Sequence, residues 1–367
     1  MKLSFVKTDL LNGINIVLKA VPSKTTMPIL ECILMEAADG VIKLTANDME
    51  MAIETIVQGS ILEEGKTAID AKLFSEIIRK LPDSDILIEE ENQNITISCE
   101  KAKFNISGRR GEDFIDLPSV EKDQHICVSQ FTLKEMIRQT IFSIAANESN
   151  KMMTGELFEV KDNDLKITSL DGHRISIRKC LLRDQYENIK VVVPGKTLTE
   201  LSRILPGEQE RDVVIFFSKN YIIFEFEQTM VLSRLIEGNY FRVDQMISND
   251  YETKITVNKK EFLGSIERSV LLVRESDKKP IILNVKDNNL ELSLNSVIGS
   301  MREDLLIRQS GKDILIGFNP RFLIDALRVI DDEEINIYMV NPKAPCFIRD
   351  DEGAYIYLIL PVNFLVR

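Results

Sequence analysis

Three stretches of the chain carry side chains whose types and spacing could do chemistry. Leu170-Asp171-Gly172-His173-Arg174 sets one of only two histidines between an acid and a base. A histidine beside a carboxylate suits general acid–base work, but the stretch offers no nucleophile and no third member to orient the ring. Asp-Gly is also a turn signal, here between Ile167-Thr168-Ser169 and Ile175-Ser176-Ile177. A turn is therefore the first expectation, a binding pocket the second and catalysis the third. Pro194-Gly195-Lys196-Thr197 has the tail of a phosphate-cradling P-loop, yet the motif needs a glycine where Lys190 sits, so it fails. Asp331-Asp332-Glu333-Glu334 lacks the spaced ligands of a calcium loop and is expected to be a solvated turn. His125 stands alone before a predicted strand.

Lys196 belongs to a larger pattern. In the stretch Asp70 to Pro82, Lys72, Glu76 and Arg79 lie at i, i+4 and i+7, and Leu81-Pro82 closes the segment. A shift of 124 residues gives Lys196, Glu200 and Arg203 with Leu205-Pro206, and a further 125 gives Arg321, Asp325 and Arg328 with Ile330. Such positions share one helix face. Each copy thus has a plus–minus–plus stripe opposite apolar residues: Phe74, Ile77 and Ile78; Leu198 and Leu201; Leu323, Ala326 and Leu327. Solenoid repeats run to a few tens of residues, so this period means a whole domain written three times.

The elements around the stripe repeat too. Each third opens with an amphipathic helix, predicted near Lys7 to Ala20, Ser129 to Ala146 and Asn258 to Glu275. Strand pairs follow: Ile29 to Met35 with Val41 to Thr45, Gly155 to Val160 with Leu165 to Ser169, and Ile281 to Val285 with Leu290 to Leu294. Their turns, Ala38-Asp39-Gly40, Lys161-Asp162-Asn163-Asp164 and Lys286-Asp287-Asn288-Asn289, are hairpin signals. Lys43-Leu-Thr-Ala-Asn-Asp48 aligns with Lys166-Ile-Thr-Ser-Leu-Asp171. After the striped helix come three or four more strands. The unit is a β-rich α+β domain with two helices and about eight strands. The first two units end on Phe114-Ile-Asp-Leu-Pro118 and Gly238-Asn-Tyr-Phe-Arg242, which sets expected domains at 1–119, 120–247 and 248–367, with sheets running on across the junctions.

With 44% apolar residues and a mean hydropathy of −0.05, the chain has no run long enough for a membrane helix, and its start has no signal-peptide layout. Five scattered cysteines (Cys32, Cys99, Cys127, Cys180, Cys346) without a CxxC fit reduced core thiols in a cytoplasmic protein; no metal or other cofactor is expected. The net charge of −12 argues against a simple basic nucleic-acid binder. The charge is nevertheless segregated. The six predicted helices together carry +6, which puts −18 on the strands and turns. Helices gathered on one concave side would meet phosphates without reading bases. The chain ends in Tyr355-Ile-Tyr-Leu-Ile-Leu-Pro361-Val-Asn-Phe364, either the closing strand of the third sheet or, through Leu360, Pro361, Val362 and Phe364, a wall of an apolar docking groove.

Three α+β copies, the Asp171-Gly172-His173-Arg174 turn, Lys24-Thr-Thr-Met-Pro28-Ile29-Leu30, Gly317-Phe-Asn319 and the Leu360-Pro361-Val362 ending together resemble the bacterial replicative sliding clamps, the beta subunits of DNA polymerase III. The resemblance covers the chain from residue 1 to about Phe364. It implies a head-to-tail homodimer closed into a ring of six domains, each chain giving half, with helices inside and sheets outside. Such a ring encircles duplex DNA without sequence specificity and tethers the catalytic subunit of the replicative polymerase. The clamp loader complex and other clamp-binding-motif proteins of replication and repair are the further partners, and no bond is made or broken. The other function considered is a repeat-built peptide-binding scaffold that does not encircle DNA.

The resemblance also implies sites. A partner-peptide pocket would be lined by Met153, Leu170, Gly172, His173, Arg174, Ile175, Asn319, Phe322, Pro345, Leu358, Leu360, Pro361 and Val362. DNA-facing cations would be Lys72, Arg79, Lys196, Arg203, Arg321 and Arg328 on the helices, with Lys24 and Lys151 on loops. The dimer contact would set Phe104 and Ile106 against Leu271 and Leu272. Departures are Leu170 where the family often has threonine, Phe241 where a proline is usual, and the added Leu365-Val366-Arg367.

Overall fold

A computed structural model of the chain describes residues 1–122, 124–146, 150–208, 210–273 and 279–364. The chain builds two compact units, Met1–Leu133 with Lys196–Leu235, and Lys134–Gly195 with Ile236–Arg367. Among the described residues there are six α-helices: α1 (Lys7–Val17), α2 (Ala71–Lys80), α3 (Gln130–Arg138), α4 (Gly195–Ile204), α5 (Lys259–Val270) and α6 (Pro320–Val329). All strand pairs are antiparallel.

In the first unit, a five-stranded sheet runs Ser60–Glu63, Lys2–Val6, Asp85–Glu91, Asn94–Cys99, Ala102–Ser107. A nine-stranded sheet runs from Arg109–Arg110 through Gly65–Asp70, Cys32–Ala38, Val41–Asn47 and Met51–Ile56 to Thr229–Arg234, Tyr221–Phe226, Asp212–Phe217 and Gln124–Ser129. Its middle is the pair Met51–Ile56 with Thr229–Arg234, so strands of the first and second copies share one sheet, as the sequence led us to expect. The Thr55 and Thr229 hydroxyls bond across that pair at 2.8 Å. In the second unit, Arg174–Pro194 pairs with Tyr355–Ile359 and joins the second and third copies the same way, within a seven-stranded sheet. A four-stranded sheet there runs Ser300–Leu306, Asn289–Asn295, Ile281–Lys286, Ile314–Phe318.

The hairpins form where the turn residues require. Asp39 and Gly40 (φ 52° and 77°) and Asp287 and Asn288 (51° and 60°) are both left-handed, as a two-residue type I′ loop needs. Gly155–Leu170 pairs with Arg174–Pro194 in two blocks separated by register shifts around Asp162, whose φ of 56° falls inside the third expected turn.

The striped helices bury the faces their periodicity specified: Phe74, Ile77 and Ile78; Leu198 and Leu201; Leu323, Ala326 and Leu327. Asp70 and Asn319 cap α2 and α6 by accepting from the Leu73 and Arg321 backbone N–H groups at 2.7 and 3.1 Å. The far ends are closed from the partner helix. Lys7 Nζ donates to the Leu81 carbonyl at 2.5 Å, and Lys259 Nζ to the Ile330 carbonyl at 2.6 Å. A lysine at the start of one helix thus satisfies the C-terminal carbonyls of the next. In the middle copy the same position is Gln130, fully buried, whose side-chain amide has no hydrogen-bond partner among the described residues.

Three predicted boundaries shift. The first strand of the initial pair begins at Cys32, because Pro28–Glu31 is a 3-10 turn with Pro28 at its first position, where a fixed φ and a missing N–H cost nothing. The third helix ends at Arg138 and not Ala146. Thr140 Oγ1 turns back to the Met136 carbonyl at 2.7 Å, and Ile141–Ser143 follows as a separate 3-10 turn. The fifth ends at Val270, and residues 271–273 follow as a turn in place of the expected helix; Arg274 and Glu275, and the Leu365-Val366-Arg367 tail, lie outside the described residues.

Candidate partner pocket and cation-bearing helix faces

The Asp171 turn is built by its own side chain. Asp171 Oδ1 accepts from the backbone N–H groups of His173 (2.9 Å) and Arg174 (3.2 Å), and Oδ2 accepts from Arg174 Nε at 3.0 Å. Gly172 sits at φ +87°, a conformation side-chain-bearing residues rarely adopt. Asp171 is therefore occupied, and the exposed His173 imidazole has no hydrogen-bond partner among the described residues. The turn expected from the sequence is present; a His–Asp dyad is not.

Arg174 is the anchor. Its Nη1 donates to Asp325 Oδ2 and its Nη2 to the Phe142 carbonyl, both at 2.6 Å. The guanidinium carbon stands 4.5 Å from the centroid of Phe322 and 5.3 Å from that of Phe142. Only 10% of the side chain is exposed, so the charge is shared between two carboxylates and two ring faces rather than offered to solvent. Asp325, the acid of the third copy's stripe, keeps 36% of its side chain exposed and pairs with Arg174 from that face. Phe142 is absent from the expected pocket because its segment has helical periodicity; the one signal against helix there is the β-branched pair Thr140-Ile141 just past the end of α3.

Around this anchor the strands gather the other predicted residues. Leu170 pairs with Ile175, and Ile175 with Leu358. These three are buried in one apolar cluster, with Met153 and Phe241 packed against it. The Leu360 backbone N–H donates to the His173 carbonyl at 2.9 Å, and that of Val362 to the Gly317 carbonyl at 2.8 Å. Gly317 is required by close approach: a Cβ there would stand 2.6 Å from the Phe364 ring. Phe322 lies 6.0 Å from His173, centroid to centroid, on the helix capped by Asn319. Pro345 precedes Cys346, which pairs with Ile359. Leu360 is 38% exposed, and Pro361, Val362 and Phe322 are half-buried. The result is an apolar wall with a histidine at its edge and an immobilised arginine behind it, suited to an apolar and aromatic peptide end. Phe241 meets Tyr240 edge-on, with ring centroids 5.9 Å apart, and fills the position where proline was expected.

One buried acid borders this cluster. Glu156 precedes Leu157 on its strand and is wholly buried, with neither carboxyl oxygen bonded among the described residues. Burial pushes its carboxyl up to about 8; the Thr140 hydroxyl, already donated to Met136, offsets this only in part.

The eight predicted DNA-facing cations, Lys24, Lys72, Arg79, Lys151, Lys196, Arg203, Arg321 and Arg328, are all exposed. Lys196 pairs with Asp48, Arg203 with Glu200 at 2.6 Å and Arg328 with Glu267 at 2.8 Å. Lys24, Lys72, Lys151 and Arg321 have no ion pair among the described residues. For the predicted dimer contact, Ala102–Ser107 and Ser300–Leu306 each form the outer strand of their sheets. Phe104 is 40% exposed and Leu271 78%, whereas Ile106 is half-buried and Leu272 packs against the core of its unit.

Comparison with known proteins identifies the family and the fold. The N-terminal, central and C-terminal domain profiles of the DNA polymerase III beta subunit match residues 1–118, 127–241 and 244–363. The beta sliding clamp of Bacillus subtilis is 36% identical, over 99% of this chain and 100% of its own. A crystal structure of a DNA polymerase sliding clamp from Bacillus subtilis, 34% identical, superimposes with a TM-score of 0.96 and full coverage of both chains. A crystal structure from Eubacterium rectale, described as a DNA polymerase III beta subunit, has a TM-score of 0.96 at 63% identity, covering 99% of this chain and 100% of that one. A domain copied three times, joined through shared sheets and matched from end to end, places this chain in the DNA polymerase III beta subunit family, the sliding clamps.

Proposed function

We propose that two copies of this chain close head to tail into a ring that encircles duplex DNA, slides without reading sequence, and tethers the replicative polymerase. The observation that carries this reading is the stripe of exposed cations that recurs on the second helix of each copy in a protein of net charge −12. Phosphates attract such a surface without fixing its position. Its arginines keep more than half of their side chains exposed in their pairs with Glu200 and Glu267, and such pairs are worth at most ~1 kcal/mol each, so phosphates can compete for them. The domains are taken as 1–119, 120–247 and 248–367. Two open sheet edges, Ala102–Ser107 with Phe104 and Ile106, and Ser300–Leu306 near Leu271 and Leu272, would pair between copies and remove both edges.

The pocket around His173 and Leu360 would hold the clamp-binding segments of the polymerase, the clamp loader and other replication and repair proteins. The protein would work in the cytoplasm and catalyse nothing; its contribution is topological. No helix among the described residues is long and apolar enough to cross a membrane. The test is product length on a primed circular template with polymerase and loader. Addition of the chain should lengthen products many-fold in a single binding event. Leu360→Ser should abolish the gain while leaving the oligomer intact. Unchanged product length with wild type would favour a peptide-binding scaffold.

A further inference from the structure

The Asp171 turn has a counterpart in the first copy, and the counterpart lines a pocket of its own. Asp48 Oδ1 accepts from the backbone N–H groups of Glu50 (3.0 Å) and Met51 (2.7 Å), the pattern Asp171 makes with His173 and Arg174. Asn47 pairs with Ala52 as Leu170 pairs with Ile175. Met49 and Gly172 both have positive φ, 75° and 87°. The repeat therefore puts Glu50 where the second copy has His173, and Met51 where it has Arg174.

Beside this turn lies an open pocket of about 170 Å³. Met49, Met51, Leu117, Pro118, Tyr221 and Leu232 supply its apolar walls. Its charged lining residues are Glu50 and Asp116, both exposed and without an ion pair among the described residues, and none of its lining residues is basic. Methionines make an adaptable apolar wall and Tyr221 a flat one. Two unpaired carboxylates beside such walls are complementary to a cation carried next to an apolar side chain. They repel phosphate at the pocket itself, while the Asp48 carboxylate of the same turn holds Lys196.

We propose that this pocket is a second peptide-docking site, taking an extended segment of a partner protein that lays one leucine- or phenylalanine-sized side chain against Met49, Leu117 and Tyr221 and sets a lysine or arginine against Glu50 and Asp116. The proposal stands apart from the reading of the His173 pocket. The charge reversal between the two turns, Glu50 for His173, makes the sites select different peptides.

The test uses the full-length chain and two fluorescein-labelled decapeptides with the same Leu-Phe centre, one flanked by arginines and one by aspartates. Anisotropy should show saturable binding of the arginine peptide. The double variant Glu50→Lys, Asp116→Lys should weaken it at least tenfold, and Leu360→Ser should leave it within twofold. Both altered carboxylates are exposed, and matching thermal melts would confirm an intact fold. In the unaltered chain, ¹³C-methyl signals of Met49 and Met51 should shift on titration with the arginine peptide. Absence of saturable binding at millimolar peptide would overturn the proposal. So would loss of binding in Leu360→Ser but not in the double variant, or a change in self-association in the double variant without any peptide binding, which would make the occupant a second copy. Failure of the aspartate peptide at the His173 pocket bears only on that pocket.

Discussion

At the scale of single residues, Arg174 and Glu156 carry the least interchangeable chemistry. Arg174 uses its Nε and both terminal nitrogens on Asp171, Asp325 and the Phe142 carbonyl while stacked on Phe322. Lysine has neither the fork nor the flat face. Arg174→Lys should weaken a clamp-binding peptide about tenfold, through the loosened Phe322 and turn, and Arg174→Ala should in addition destabilise the fold by ~2–4 kcal/mol by leaving two carboxylates unpaired. Titration calorimetry and urea melts separate the two effects. Glu156 sets a pH dependence. Its carboxyl titrates at about 8 in the fold against an ordinary 4.5. Between those values the native state keeps a proton that the unfolded chain has lost, so stability is fully present at low pH, falls as pH rises, and levels off above about 8. Glu156→Gln should gain on the wild type by up to ~4 kcal/mol between about pH 5 and pH 8. Parallel urea-melt pH profiles for the two proteins would assign the dependence to other groups.

At the scale of elements, the helix pairs depend on lysines that close a neighbour's end. Lys7→Met and Lys259→Met should each cost about 1 kcal/mol and lower the melting temperature, more so in combination, because the freed carbonyls of Leu81 and Ile330 lose a charged donor. The stripe on α2 and α4 should behave oppositely. Glutamate at Lys72, Arg79 and Arg203 should leave thermal stability within about 1 kcal/mol but reduce DNA loading, with the salt dependence of association flattened. A collapse in stability would show these cations to be structural. Much of this level was legible beforehand, since i, i+4, i+7 spacing fixes a face and Asp-Gly or Asp-Asn fixes a hairpin. What sequence could not carry was long-range choice. Asp325 has the stripe spacing, yet a guanidinium contributed by residue 174 outcompetes solvent for it. Helix α3 ends early because a threonine hydroxyl finds a carbonyl, and Glu156 lies in the run 155–158, buried on both faces, where no alternation marks which side an acid would take.

At the scale of the whole molecule, the same domain written three times explains why sheets pass from copy to copy: each junction adds strands of one copy to the open side of the next. The Asp171-Gly172-His173-Arg174 turn and the apolar Leu360-Pro361-Val362 ending were legible as residues, whereas Met153 and Pro345 entered only through family resemblance, because no spacing links them to the pairing of Arg174–Pro194 with Tyr355–Ile359. The central claim is that topology, not affinity, keeps this protein on DNA. The direct measurement is retention on a closed circular duplex after loading, followed by gel filtration before and after a restriction enzyme opens the circle. The account predicts that the protein stays with the closed circle at high salt and leaves within minutes of linearisation. Equal dissociation from circle and linear DNA would contradict it.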